Sequence, residues 1–374
     1  MSMKYNYRTI NLVENCKLLI KKLNAMSLKS KLIIFSSVVL IITIIIIRPY
    51  YLFVTKTLQV SPLKAIVSNS DLKTYNNQVN ILFLGIAGEY RDGPNLSDSI
   101  VVINYNLKIN RLTTISVPRD VWSEALRDKI NSAYAYGEAK KKGAGFILSK
   151  AEVENIIGQP IHYAIVVDFD QFEAVINFLG GVDVIVENSF IDKEFPIAGR
   201  ENNLCNSDPD YKCRYETISF TKGLTHMNGQ TALKFVRSRH ALGSEGSDFA
   251  REKRQQKIIG AIKNKFITFF KKPNVDSYQK LYHLLNKLVK RDINNQQIAV
   301  IIKNIFLRKN FKQEKIILSE DFFFNPEINL EKYDGKWVLV PKNNNIQLVK
   351  EYIGCRLSEK INCDQLKPKG EKDR

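Results

Sequence analysis

The chain has 374 residues, of which 44% are hydrophobic and 25% charged, with a formal net charge of +18. That balance excludes a disordered or collagen-like chain and leaves room for two domains. The cationic excess by itself admits nucleic acid, a membrane surface or an anionic substrate, so the placement of the charges has to decide among them.

Residues 1–31 carry Lys4, Arg8, Lys17, Lys21, Lys22, Lys29 and Lys31 and read as a basic cytoplasmic segment lying on anionic headgroups. The run 32–47 contains no charge, and 50–54 extends its apolar character past Arg48 and Pro49. Together 32–54 are expected to be a transmembrane anchor, with Arg48 snorkelling and Tyr50 and Tyr51 at the interface. Few cations follow closely, so the bias places the N-terminus inside and the bulk of the chain outside. A cleaved signal peptide is the competing reading, but the basic segment is long and no small-x-small site follows the apolar run. Residues 55–78 read as a polar stalk. An outside location removes nucleic acid from the expected partners. It also suits the cysteines: Cys16 is alone on the inner side, while Cys205 with Cys213 and Cys355 with Cys363 are spaced for two short-loop disulfides. Zinc is the alternative for these thiols, and no CxxC or neighbouring histidine supports it.

The folded part begins at 79. Residues 79–84 form a buried strand, followed by a loop that carries Glu89, Arg91 and Asp92. Strands 100–105 and 112–117 make a hairpin that runs into Pro118-Arg119-Asp120, where proline ends the ladder and Arg119 reaches the rim of a sheet. Helices are expected at 129–142 and at 149–157, the second opened by a Ser149-x-x-Glu152 capping box. Strand 161–167, helix 171–179 ended by Gly180-Gly181, and strand 182–186 follow. A short helix within 223–233 leads into a strand at 234–240. Beyond 272, helices 278–290 and 295–307, a strand at 337–341 and a helix at 347–352 suggest a small α+β C-terminal accessory domain, 273–366, before a charged tail, 367–374. The alternation predicts an α/β fold: a three-layer-like mixed sheet covered by helices, behind one N-terminal transmembrane helix.

The stretch 234–256 is the densest in candidate chemistry. As a strand, 234–240 puts Arg237 and Arg239 on one face. Ser247 or Asp248 then caps a helix on which Arg251, Arg254 and Gln255 share a side. Like charges about 7 Å apart at an effective dielectric of about 20 repel by about 2 kcal/mol, so such a cluster favours an anion. The planar guanidinium fork and a helix N-terminus both suit phosphate. The alternative is that Glu245, Asp248 and Glu252 neutralise the arginines at the surface.

S-D-S at 97–99, S-V-P-R-D at 116–120, F-L-G-G-V-D-V at 178–184, G-Q-T-A-L-K-F-V-R-S-R at 229–239 and D-F-A-R-E-K-R-Q-Q at 248–256, in this order behind an anchor, resemble the LytR-CpsA-Psr family of envelope proteins. The resemblance implies a catalytic domain over 79–272 and a phosphotransferase that attaches a glycopolymer from a polyprenyl-pyrophosphate carrier to peptidoglycan. It implies Arg119, Arg237, Arg239, Arg251 and Gln255 as the diphosphate-holding set, with Asp98, Asp120 or Asp248 as base. Asp98 is implied as the ligand of Mg2+ or Mn2+, and the polyprenyl chain as lying in an apolar tunnel. Two positions depart from the pattern: Ala87 stands where the family usually has an aspartate, and Leu96 where it usually has an arginine. A non-catalytic polyprenyl-phosphate-binding protein and a transcriptional attenuator are the alternatives.

Overall fold

The computed structural model describes residues 21, 25–68, 71–86, 95–168, 172–197, 199–200, 202–272, 274–307, 311–358 and 362–368, without the side chains of 248, 249 and 252. The chain divides into two compact units, 1–60 and 61–374.

In the first unit, Ser27 caps helix α1 (Leu28–Leu52), which continues as a π-helical turn over Phe53–Thr57. Leu28–Thr57 is long and apolar enough to cross a membrane, and none of its most apolar stretch is buried within the protein. It therefore extends past both ends of the expected 32–54. Pro49 sits inside the helix, and the wider turn begins four residues later, an adjustment of the kind that accommodates a missing N–H.

The second unit opens with α2 (Pro62–Val67) and then builds a sheet from β1 (Gln78–Ile86), β2 (Ser97–Asn106) and β3 (Arg111–Val117). A two-residue pairing of β4 (Trp122–Ser123) with β5 (Asp128–Lys129) leads to helices α3 (Ala133–Lys140) and α4 (Ala144–Ile157). These two helices meet where a Cβ on Gly137 would stand 2.5 Å from the Cα of Gly145. Ser149 lies inside α4 rather than at its start. Its hydroxyl donates to Gly145 O at 2.6 Å, so there is no capping box, and Gly143, at φ +86°, opens the helix instead.

Next come β6 (Tyr163–Asp168), α5 (Phe172–Phe178), β7 (Val182–Val186) and the pair β8 (Phe190–Pro196) and β9 (Tyr215–Phe220). The Cys205–Cys213 disulfide closes the excursion between β8 and β9, and Cys355–Cys363 closes a second loop. Strand β10 (Gly223–Met227) pairs with β7 and enters helix α6 (Gly229–Arg237). The expected strand at 234–240 is thus largely a helix. Asn228 caps it by accepting Thr231 N–H at 2.8 Å, and Ala232 and Phe235, three apart, bury one face.

Helix α7 (Asp248–Phe270) is followed by α8 (Val275–Leu288), β11 (Val289–Arg291), α9 (Asn295–Leu307) and β12 (Lys312–Ile317). The chain ends with β13 (Phe323–Phe324), α10 (Leu330–Tyr333), β14 (Val340–Pro341) and α11 (Ile346–Leu357). The strand expected at 337–341 is laddered only at β14, with Leu339 bridging Val121.

The central sheet runs β11-β6-β1-β2-β3-β12, with β1/β6 and β3/β12 parallel and the other pairs antiparallel. Both outer strands come from the segment expected as an accessory domain, so 273–366 is built into the same sheet. One core packs Leu82, Val102, Ile115 and Ala164 of the strands against Ile157 of α4 and Val349 and Ile353 of α11. A second packs Ile176, Val182, Met227, Phe235 and Ile258 with Phe190 and Phe220. Burying such side chains contributes about 1.5–3 kcal/mol each before the chain's entropy is counted.

Candidate functional site

Two groups of side chains carry the expected chemistry. The first lies at the rim of the central sheet. Ile100 faces Val117 in the β2/β3 register, so Asp98 and Arg119, two residues further along each strand, come opposite one another. Pro118 ends β3, and the turn after it is held by Asn131 N–H to Arg119 O at 3.2 Å and Leu339 N–H to Asp120 O at 2.9 Å. Arg119 Nη1 donates to Asp98 Oδ1, its Nε donates to Asp120 Oδ2 at 3.3 Å, and Lys129 Nζ reaches Asp120 Oδ1 at 2.8 Å. Burial pushes the Arg119 guanidinium down, and Asp120 and Asp98 more than offset this, leaving it above its usual range. Leu96 contributes no phosphate clamp here. Ala87, Glu89, Arg91 and Asp92 lie outside the described residues.

The second group lies where α6 hands over to α7. Arg237 is the last residue of α6, Ser238 caps it, and Arg239 follows in the loop. Because 234–237 is helical, the two arginines do not share the face of a strand. They flank Ser238, a residue that is held in place from both sides. Ser238 and Asp192 of β8 are fully buried, and the Ser238 hydroxyl donates to Asp192 Oδ2 at 2.7 Å. The same oxygen accepts His240 N–H at 3.2 Å, while Oδ1 accepts Glu194 N–H at 3.0 Å. On the other side, Arg254 of α7 is 3% exposed and donates from Nη2 to Ser238 O at 2.8 Å. Its Nε binds Phe235 O at 3.0 Å, and its Nη1 binds Glu245 O at 2.8 Å and Glu245 Oε2 at 2.9 Å. Burial pushes the Arg254 guanidinium down against the pull of Glu245 and Asp192.

The alternative of neutralised arginines therefore holds for Arg254, which Glu245 pairs, and for Arg119. For Arg237 and Arg239 no carboxylate pairs among the described residues, which leave out the side chains of Asp248 and Glu252. Arg237 stands with its Cζ 6.0 Å from the Phe195 ring, and Arg239 is exposed. Ser247 caps α7, accepting Ala250 N–H at 3.2 Å. One turn in, Arg251 is half-buried and Gln255 exposed; the side chains of Asp248 and Glu252 are outside the described set. Sequence reasoning missed Asp192, Ser238 and the holding role of Arg254. Nothing local in F-I-D-K-E-F marks Asp192 as a partner for a loop 46 residues further on.

Comparison with known proteins decides the family. The model of the LytR_cpsA_psr family matches residues 54–351. The chain belongs to the LytR-CpsA-Psr family. Among curated LytR-CpsA-Psr relatives, the polyisoprenyl-teichoic acid–peptidoglycan teichoic acid transferase TagU of Bacillus mycoides (strain KBAB4) is 32% identical over 264 residues, 68% of this chain and 75% of the relative. TagV of Bacillus subtilis (strain 168), which carries the same transferase name, is 34% identical over 190 residues, 49% of this chain and 42% of its own. Among solved structures, B. subtilis TagV aligns with 76% of this chain and 99% of its own, at 24% identity and a TM-score of 0.48. TagT bound to LIIa-WTA aligns with 78% and 96%, at 24% identity and a TM-score of 0.46.

LytR-CpsA-Psr enzymes as a group depend on a divalent metal. Among the described residues of this member, no three His, Cys, Asp or Glu gather as a metal cage. Mg2+ typically takes only one or two protein carboxylates and completes its shell with phosphate oxygens and water. Asp98 meets that requirement as a rim carboxylate, at present satisfied by Arg119.

Proposed function

We propose that this protein is a membrane-anchored, extracytoplasmic phosphotransferase that attaches a glycopolymer from a polyprenyl-pyrophosphate carrier to peptidoglycan. Family membership and the transferase names of its relatives support the reaction class. The observation that carries the reading is the α6–α7 junction: two arginines that pair with no carboxylate among the described residues flank a buried, fully hydrogen-bonded serine. Fixed cations of that kind stabilise charge on phosphate oxygens without reorganising during the reaction. In this reading 79–272 holds the catalytic residues, Leu28–Thr57 contains the anchor and the segment before it is cytoplasmic. Two disulfides in the second unit agree with a domain outside the reducing cytosol.

Arg237, Arg239, Arg251 and Gln255 hold the diphosphate. Arg119 joins them by exchanging Asp98 for a phosphate oxygen, and Asp98 is then available to hold Mg2+ or Mn2+, which supplies charge neutralisation on the phosphates. A peptidoglycan hydroxyl attacks the phosphorus that bears the glycan. A phosphodiester forms, the P–O bond to polyprenyl phosphate breaks, and polyprenyl phosphate leaves with the electron pair. The hydroxyl proton goes to a carboxylate, for which Asp120, beside Arg119, and Asp248 are the candidates.

The test is incubation of the full chain, in nanodiscs with Mg2+ or Mn2+, with a polyprenyl-pyrophosphate-linked glycan and peptidoglycan. Polyprenyl phosphate release matched by glycan on the wall material is expected. Tight carrier binding with no turnover under either metal would instead assign the chain a non-catalytic carrier-binding role.

A further inference from the structure

We infer that Asp192, Ser238 and Arg254 form a positioning clamp that sets the arginine pair for the diphosphate, an inference that rests on the proposed binding role of Arg237 and Arg239. Arginine side chains lose rotamer freedom when they bind, and a loop that carried them freely would also have to be ordered at that moment. Here the backbone between them is already fixed from both sides. The Ser238 side chain is tied to Asp192 and its carbonyl to Arg254, so both ends of this one residue are committed. Two residues on, His240 is tied to the same Asp192 carboxylate through its N–H, and Ala241 bridges Asp192 in the manner of a short added strand. Leu242 N–H to Ile191 O at 3.2 Å extends that seam. Arg254 in turn grips both ends of the loop, at Phe235 O and at Glu245 O, so the span 235–245 is closed by one guanidinium.

The charge arrangement follows the same division of labour. Three polar side chains in this region, Asp192, Arg254 and Glu245, are satisfied by partners within the protein, and Asn188 Nδ2 completes Glu245 at 2.8 Å. Arg237 and Arg239 have no such carboxylate among the described residues. Among the described residues, internal pairing thus falls on the groups that build the junction and spares the half-buried Arg237 and the exposed Arg239, which is what a preorganised anion site requires. None of the three clamp residues need touch the ligand, so they are positioning residues and their effect should pass entirely through the arginine pair.

The experiment is a mutant cycle on the full chain in detergent, read by binding of geranylgeranyl pyrophosphate and, as a probe lacking phosphate, geranylgeraniol. R237A/R239A is expected to weaken the pyrophosphate probe; if it does not, the binding reading fails and the clamp falls with it. Ser238→Ala and, as a second variant that keeps a cation beside Glu245, Arg254→Lys are each expected to weaken pyrophosphate binding on the order of tenfold while leaving geranylgeraniol binding unchanged. In the R237A/R239A background both substitutions should have no further effect, because their influence has nothing left to act through. Undiminished pyrophosphate binding by both variants, an equal loss for both probes, or a full additional loss in the arginine-free background overturns the clamp while leaving the arginine site standing.

Discussion

The rim of the sheet and the α6–α7 junction both present arginines, and they present them in opposite states. At the rim, Arg119 is held by Asp98 and Asp120, with Lys129 sharing Asp120. At the junction, the buried Arg254 is paired with Glu245, while Arg237 and Arg239 pair with no carboxylate among the described residues. The difference separates two ways of treating a cation before its ligand arrives. One balances it with a carboxylate that can be displaced; the other leaves it unbalanced and fixes the backbone instead. A diphosphate would meet Arg237 and Arg239 with no described carboxylate to displace, and would engage Arg119 only by exchange.

The largest effect expected from this contrast is catalytic. R237A/R239A removes at least two charge-assisted hydrogen bonds of about 1.5 to 3 kcal/mol each, so the transfer rate should fall by about 10^2- to 10^4-fold, with the thermal midpoint held or raised. Transfer assays beside a melting curve check both halves. Arg254→Met should do the reverse in kind. It leaves Phe235 O, Ser238 O and the Glu245 carboxylate without their partner, and should cost about 3 to 5 kcal/mol of stability, read by chemical denaturation. Equal stability in these two variants would erase the distinction between the regions.

At the rim, Asp98→Asn should lower the transfer rate by about tenfold or more and raise the Mg2+ concentration needed for half-maximal rate. Because the Arg119 and Asp98 side chains are 40% and 37% exposed, the pair adds at most about 1 kcal/mol to stability, and melting should barely move. An unchanged Mg2+ requirement would take Asp98 out of the metal's surroundings. The smallest effect belongs to a control outside both regions. Burial holds His162 below the usual imidazole range, and its Nδ1 accepts Asn80 N–H at 2.9 Å. The unfolded chain then binds a proton first as pH falls. Stability is therefore complete above about pH 6.5 and declines as pH drops through the lower folded value, a decline that His162→Gln should flatten.

Much of this architecture was legible in the sequence because its signals are local. The apolar run after Ser27, the hairpin ending in Pro118, the glycine stop at 180–181 and the two cysteine spacings each state their structure within a dozen residues. The stretch 234–239 was misread because K-F-V-R-S-R satisfies a period of two as well as a helical one, and what decides is the cap at Asn228 and the burial of Ala232 with Phe235. Strands β11 and β12 escaped because they carry lysine, arginine and glutamate, β11 has only three residues, and both owe their pairing to neighbours far along the chain: Val289 to Val167 and Lys312 to Arg111. The arginines themselves were visible as residue types. Which of them would be neutralised was not, since that depends on Asp192 and Glu245 arriving from separate elements.

The most direct test of the central claim is a structure of the full chain with a polyprenyl pyrophosphate and Mg2+ bound. The account predicts phosphate oxygens within hydrogen-bonding distance of both the Arg237 and Arg239 guanidiniums, with Ser238 still joined to Asp192 and Arg254. A diphosphate seated elsewhere, with those two guanidiniums still facing solvent, would contradict it.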